Sequence, residues 1–586
     1  MGEQKWIIIA GEEAGPKSNK MGGIWNVIDA EATNLALLIA SGKIREAIHD
    51  IKIIVAGPYY GYSGADWNAG LNRITDLKGF QKLEGNKLLK ATIDSLQRYG
   101  ISIKTGSRKI GNIDIGYLLF DTSKYDSITT YYNKEMVLTN KVKQEAYELV
   151  GLDSLVYEKM ANGIEYTHYL NLSHAISKFI QILITLSKEI NDHRIRVCLH
   201  CHEFGVFYAI ARLKKLGIPL RSVATFHATV PGRSAGYRSI DKIISNDNSW
   251  DIGTPINLAN LESLSRYADT VTFVGESIRK EALLFYGIDG IVVRNGIELS
   301  RQEVDWEKKK KCRELIQIFL SDNIYKLFDG EKIDPKNIIP IFTISRIELE
   351  NKGYPDLLDA LVVQDRVIRS CILSGILPEE VKVICFLVTA HGPKNPDKIP
   401  QGFPVNLPTE LLIGEELKLK KMIANRQLQC QDLISGRRVV AAILYPQWIG
   451  KNDGGLNLTP DEFMAGCVAG VFPSRYDPFL LTGLEAGKEG TPSIVSKVCG
   501  FSDALKKIKR LVPVGMGGVV VVDNIDLPRC ETIADYALAM DYFTRTYIQD
   551  KVKYNLLCEE AFLLAKAMSW EDPVKQYYEI LTCRRE

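Results

Sequence analysis

Short apolar runs alternate along the chain with longer stretches of mixed polarity. Trp6–Ala10 (WIIIA), Lys52–Ala56 and Ile115–Asp121 (IGYLLFD) read as buried strands. The first runs into a glycine-bearing loop, Gly11–Gly23, then a helical period from about Trp25 to Ser41 closed by Gly42, the first half of a β-α-β unit. A second glycine-rich loop spans 57–70, and 121–165 is mostly polar, with helical fragments and no assigned chemistry. Apolar residues at Leu172, Ile176, Phe179, Ile180, Leu183 and Ile184 predict an amphipathic helix over 166–191. Strands follow at Arg196–Leu199, Arg221–Phe226, Asp269–Val274 and Ile291–Arg294, with Ser277 as a helix N-cap. The charged segment 300–337 reads as a linker helix. A second sheet then begins at Ile338–Ser345 and continues through Val381–Thr389, Val439–Leu444 and Gly518–Asp523, with a polar helix over 409–429 and a helical tail from Cys530.

The stretch Val471–Gly500 is the most informative. An apolar run leaves a sheet at Pro473–Ser474, a polar turn follows, Thr482 stands at an expected helix N-cap, and Pro492–Ser496 is another short strand. Its polar loop thus falls at the carboxyl end of a strand, where open α/β sheets bind ligands and helix N-termini offer N–H groups to phosphates.

Composition narrows the class. The 586 residues exceed one ordinary domain, so two or three cores are expected. A net charge of +2 gives no reason to invoke nucleic acid or an anionic membrane, and Lys308–Lys311 and Lys506–Arg510 read as solvated faces. No apolar run approaches the ~18 residues needed to span a bilayer. The start MGEQKW lacks the pattern of a signal peptide. Eleven scattered cysteines form no disulfide or zinc framework. The expectation is a cytoplasmic protein.

Candidate chemistry gathers at strand ends. Asp477 and Glu485 read as a solvated turn acid and an ordinary helix acid, or as a pair of ligand-binding carboxylates. Gly22–Gly23 is a tight turn, or a place where bare backbone approaches a diphosphate. His200-Cys201-His202-Glu203 are all metal-ligating types. Ligands on consecutive residues cannot all converge, and no Cys or His lies at i+3 or i+4, so no metal is expected. Arg346 and Lys352 flank the start of a helix, as surface charges or as a pair that neutralises a diphosphate.

These segments together resemble the eukaryotic-type glycogen synthases (glycosyltransferase family 3), retaining transferases of the GT-B fold. NKMGGIWNVI resembles their KxGG donor loop, HCHEFG their HxHEWxxG, TFHATVPGRSAG their THATLLGR, and ISRIELENKG their GRYExxNKG. The run from Gly466 to Phe501 resembles their acid–x7–acid site. The resemblance implies two Rossmann-like domains facing across a cleft, 1–300 and 301–565, with a helical insertion near 405–435 that carries subunit contacts. A C-terminal helix, 566–586, crosses back to the first domain. It implies Asp477, His202, Arg346 and Lys352 as catalytic residues. Lys20, Gly22, Gly23, Arg233, Thr482 and Glu485 would bind the donor, UDP-glucose or ADP-glucose, without metal or other cofactor. Glycogen or another α-glucan would be the acceptor and a homo-tetramer the assembly. Two departures stand out: Asp477 replaces the family's Glu, and Leu480 replaces its Gly. They leave open a related transferase with another donor or acceptor, or a glucan- or nucleotide-binding homologue. Of the family's regulatory arginine cluster only Arg545 is present over 541–554, so sugar-phosphate activation is not expected.

Overall fold

The computed structural model describes residues 3–15, 23–45, 51–59, 87–131, 134–190, 195–235, 254–328, 332–389, 408–446, 449–508 and 517–583. The chain divides into two units: Met1–Ala235 with Ile240–Gly296 and Trp570–Glu586, and Ile297–Ser569. Each is built on its own sheet.

The first unit contains β1 (Gln4–Gly11), β2 (Ile51–Pro58), β3 (Ser102–Ile110), β4 (Ile113–Asp121), a separate hairpin of β5 (Ile128–Tyr131) and β6 (Lys134–Val137), then β7 (Ile195–His202), β8 (Arg221–Phe226), β9 (Thr270–Phe273) and β10 (Ile291–Val292). The main sheet runs β10-β9-β8-β7-β1-β2-β4-β3, parallel except for the β3–β4 pair. Trp6–Ala10 at its centre are fully buried, as expected where helices cover both faces of a parallel sheet. The sequence reading missed β3. Its residues, SIKTGSRKI, are polar, which suits an edge strand and hides it from a search for apolar runs.

The second unit contains β11 (Ile338–Ile344), β12 (Lys382–Val388), β13 (Val440–Tyr445), β14 (Ala469–Phe472), β15 (Ser493–Ser496) and β16 (Val519–Val522). All pairs are parallel, in the order β13-β12-β11-β14-β15-β16. The chain steps outward from β11 to β13, then returns beside β11 as β14. In the first unit it makes the same return from β4 to β7, beside β1. At such reversals the flanking loops diverge and leave a crevice at the carboxyl ends of the strands.

Glu571–Thr582 forms the C-terminal helix and packs in the first unit against β7, β8 and the helix α1, Gly23–Ala40. Arg196 and Arg221 donate to the carbonyls of Cys583 and Ile580, both at 3.0 Å.

Several local expectations need correction. Ser277 lies inside its helix, whose N-cap is Gly275. The polar helix expected over 409–429 begins only at Gly414, because Thr409–Leu411 is a single tight turn. Among Lys308–Lys311, Lys309 is buried at 3% exposure, not solvated. Its ammonium bonds Thr491 Oγ1 at 2.9 Å and the carbonyls of Ala465 and Glu489, and burial lowers its pKa to about 8. No described helix is long and apolar enough to cross a membrane.

Candidate active site

In the second unit the loops leaving β11 and β14 interlock. Asn351's carbonyl accepts the backbone N–H groups of Arg475 at 2.8 Å and Tyr476 at 3.1 Å. Gly353 has φ +65°, and a Cβ there would stand 2.0 Å from the Pro473 carbonyl oxygen, so only glycine allows this approach. Across this seam Lys352 Nζ reaches Asp477 Oδ2 at 2.8 Å, with side chains 13% and 16% exposed. Arg475 braces the loop from beneath through a forked pair of bonds to Asp356, at 2.9 and 2.8 Å. Arg346, at the end of the β11 segment, is 59% exposed and pairs with Glu348 at 3.3 Å. Its guanidinium faces solvent, open to an anion.

The helix after this loop is Leu481–Lys488, so Thr482 is its second residue, not its N-cap. The cap is Leu480, in the left-handed region at φ 71°, ψ 64°. This is the position where the resemblance led to glycine. A branched side chain there is strained by about 1–2 kcal/mol. Three contacts hold the strain: the Leu480 side chain is buried, its N–H donates to Asp477 Oδ1 at 2.8 Å, and Gly500 and Phe501 N–H groups bond the Pro478 and Phe479 carbonyls. Asp477 therefore has one oxygen on Lys352 and the other on the loop backbone. Glu485 lies one turn into the helix and is part-exposed.

In the first unit, α1 begins at Gly23; Lys20 and Gly22 lie outside the described residues, as does the glycine-rich loop beyond Tyr59. Glu13 Oε2 accepts the Trp25 N–H at 3.1 Å, so a carboxylate already meets this helix start.

His202 is fully buried, with both ring nitrogens engaged: Nε2 lies 2.9 Å from Glu31 Oε2, and Nδ1 lies 2.9 Å from His227 Nε2. His202, expected as the active-site imidazole, is enclosed in this structure, and the neighbouring His227, 7% exposed, is stacked on it. The His200 ring nitrogens meet Glu31 Oε1 at 2.7 Å and Thr225 Oγ1 at 2.6 Å. Burial lowers the pKa of His202 to about 4, and burial with the neighbouring His202 holds His227 well below its ordinary value. Burial opposes ionisation of Glu31, but His200 and His202 outweigh it and hold the carboxyl at about 2.

Glu203 precedes the short turn Phe204–Val206. It takes φ 68° and folds its carboxylate back to accept the N–H groups of His227 and Ala228, while Arg233 stands 3.7 Å from its other oxygen. Arg233 is 41% exposed. Burial and nearby Glu203 raise Glu12, on the loop after β1, to about 8.

Glu31, His200 and His202 each bring a ligand atom within 4.8 Å of the others. Convergence was not expected from the sequence, because the third group comes from α1. The three residues are fully buried, and these atoms are linked by hydrogen bonds: His200 Nδ1 to Glu31 Oε1 and His202 Nε2 to Glu31 Oε2.

Sequence reasoning missed Glu31, Asn351 and Arg475 as site-forming residues and gave no chemical role to His227. Glu31 sits on a helix face that reads as core, and nothing local marks its charge as buried.

Comparison with known proteins agrees with this picture. A family model described as glycosyltransferase family 4 matches residues 137–301, and one described as glycogen synthase matches 423–570, which takes in Asp477 and Glu485. The glycogen [starch] synthase of Dictyostelium discoideum is 23% identical over 439 residues, covering 64% of this chain and about half, 49%, of that protein. Isoform 2 from Saccharomyces cerevisiae is 23% identical over 532 residues, covering 78% of this chain and 70% of its own. Among solved structures, the catalytic domain of starch synthase IV from Arabidopsis thaliana, bound to ADP and acarbose, aligns with TM-score 0.51 at 14% identity over 99% of both chains. The likeness to eukaryotic-type glycogen synthases read from the motifs is borne out, as are the glycosyltransferase class and the GT-B fold.

Proposed function

We propose that this relative of the eukaryotic glycogen synthases is a retaining glucosyltransferase. It extends the non-reducing end of an α-1,4-glucan from a nucleotide glucose, with UDP-glucose the first donor to try. The observation that carries the reading is the Lys352–Asp477 pair, formed where β11 and β14 reverse chain order.

In this reading Arg346 and Lys352 hold the diphosphate and stabilise it as it departs. Fixed cations aimed at developing charge commonly supply several kcal/mol, about 2.7–4 per donor. Arg346 is poised for a bidentate grip, and Lys352 is a point charge already held by Asp477. Glu485 takes the ribose hydroxyls, and Thr482, in the first turn of the same helix, lies near the phosphates. Asp477 addresses the donor sugar's hydroxyls with whichever oxygen Lys352 releases. The retaining route is front-face: the departing phosphate takes the acceptor's proton, so no protein nucleophile is required.

The eleven cysteines are all free thiols, most of them buried, in keeping with a reducing, cytoplasmic setting. A homo-oligomer, with contacts near Pro408–Asn425, belongs to the same proposal. The test is to incubate the protein with labelled UDP-glucose and glycogen and digest the polymer with an enzyme specific for α-1,4 linkages. Label released as maltose or glucose supports the reading. Label in the polymer but resistant to digestion would point instead to a related transferase forming another bond.

A further inference from the structure

We propose that Glu31 is a positioning residue. Through His202 it fixes His227 as the Nε2–H tautomer, so that His227 Nδ1 is presented as a hydrogen-bond acceptor for a ligand hydroxyl. The inference deepens the transferase reading above and rests on it for the identity of the ligand as a sugar or glucan.

The argument is one of proton counting along a chain of short contacts. Thr272 Oγ1 meets Thr225 Oγ1 at 2.6 Å, and Thr225 Oγ1 meets His200 Nε2 at 2.6 Å. His200 Nδ1 then meets Glu31 Oε1 at 2.7 Å, Glu31 Oε2 meets His202 Nε2 at 2.9 Å, and His202 Nδ1 meets His227 Nε2 at 2.9 Å. An ionised carboxylate only accepts, so both histidines facing Glu31 must donate: His200 through Nδ1–H and His202 through Nε2–H. A neutral imidazole carries one N–H. His202 has spent its proton on Glu31, so its Nδ1 accepts, and the proton between the rings belongs to His227 Nε2. His227 in turn keeps a lone pair on Nδ1, which no other described residue engages.

The surroundings agree with this order. Burial disfavours a charged imidazole at His202 and His227, and the fully buried Tyr577 of the C-terminal helix lies 4.7 Å from the His200 ring, closing the interior end of the chain. Glu203 receives the backbone N–H of His227, which fixes where the ring stands, while Glu31 fixes which way its proton points. Backbone and tautomer are thus set by two different carboxylates. A neutral acceptor beside the Glu203 carboxylate suits a hydroxyl and disfavours a bare anion. The device is the interior counterpart of a carboxylate that orients a metal-bound or catalytic histidine through its second nitrogen.

The test uses the full-length protein labelled with ¹⁵N-histidine, its eight histidines assigned with the help of His227→Gln. At neutral pH the His227 signals are expected to show a protonated Nε2 and an unprotonated Nδ1. The opposite tautomer, or an imidazolium, would overturn the proposal. So would stoichiometric zinc in the purified protein, since a metal on Glu31, His200 and His202 would displace the protons counted above. For function, Glu31→Gln is expected to lower glucosyl transfer at least tenfold in the wild-type background. Placed on His227→Gln, it should change transfer less than twofold, and Glu31→Asp should recover part of the loss. Equal effects of Glu31→Gln in both backgrounds would mean that Glu31 does not act through His227. If no sugar nucleotide supports transfer, the functional reading falls, while the tautomer measurement still decides the hydrogen-bond chain.

Discussion

Lys352 Nζ and Asp477 Oδ2 lie 2.8 Å apart, joining the loop after β11 to the loop after β14. The sequence separates these residues by more than a hundred positions, and only the return of β14 beside β11 brings them together. Lys352→Met removes the cation while keeping most of the stem. We expect a loss of transfer of about 10²–10³-fold, the usual cost of one preorganised charge, with little change in the urea midpoint. A variant that unfolds but transfers normally per folded molecule would make the pair structural only.

Leu480 tests backbone strain directly. In an ordinary helix alanine is more stable than glycine, by about 1 kcal/mol. At φ 71° the order should reverse. Leu480→Ala and Leu480→Gly both lose the buried side chain, but only glycine is relieved of the left-handed penalty, so Leu480→Gly should be the more stable of the two by about 1 kcal/mol. Paired urea titrations measure the difference, and an alanine variant equal or superior to glycine would show that the strain is absent.

Glu12 predicts a pH dependence. Burial and nearby Glu203 raise its folded pKa to about 8 from an ordinary 4.5. Between those values the folded protein binds more protons than the unfolded chain, so this group makes stability fall as pH rises from about 4.5 to about 8. Glu12→Gln is neutral throughout and removes the slope. The variant should gain on wild type as pH rises from 5 to 8.5; a constant difference across that range would contradict the assignment.

Tyr577 seals the first unit. Its ring is buried beside His200 on a helix that returns from the far end of the chain. Tyr577→Ala should destabilise that unit by about 3–5 kcal/mol, as for other large aromatic truncations. Fluorescence of Trp6, in the central strand of that unit's sheet, should report its melting early. Unchanged melting would place the C-terminal helix outside the unit's cooperative core.

Much of the fold was legible because parallel strands buried on both faces appear as uninterrupted apolar runs, WIIIA at β1 being the plainest. The polar edge strand β3 was not, since an edge carries charge. Motifs placed Arg346, Lys352, Asp477 and Glu485 at strand ends or helix starts by local pattern. The histidine chain could not be read in that way. His200 and His202 looked like a turn sequence, and the residue that organises them, Glu31, lies far upstream on a helix. Nor could the sequence show that Leu480 stands in the left-handed region, in a loop held by Asp477, Gly500 and Phe501.

The central claim is transfer from a nucleotide glucose to a glucan, and nucleotide release measures it most directly. Purified protein would be given UDP-glucose or ADP-glucose, with and without glycogen. Release of one nucleotide that depends on glycogen, and that Lys352→Met lowers by about 10²–10³-fold, is the predicted result. No release from either donor with glycogen present, from protein that binds UDP, would contradict it.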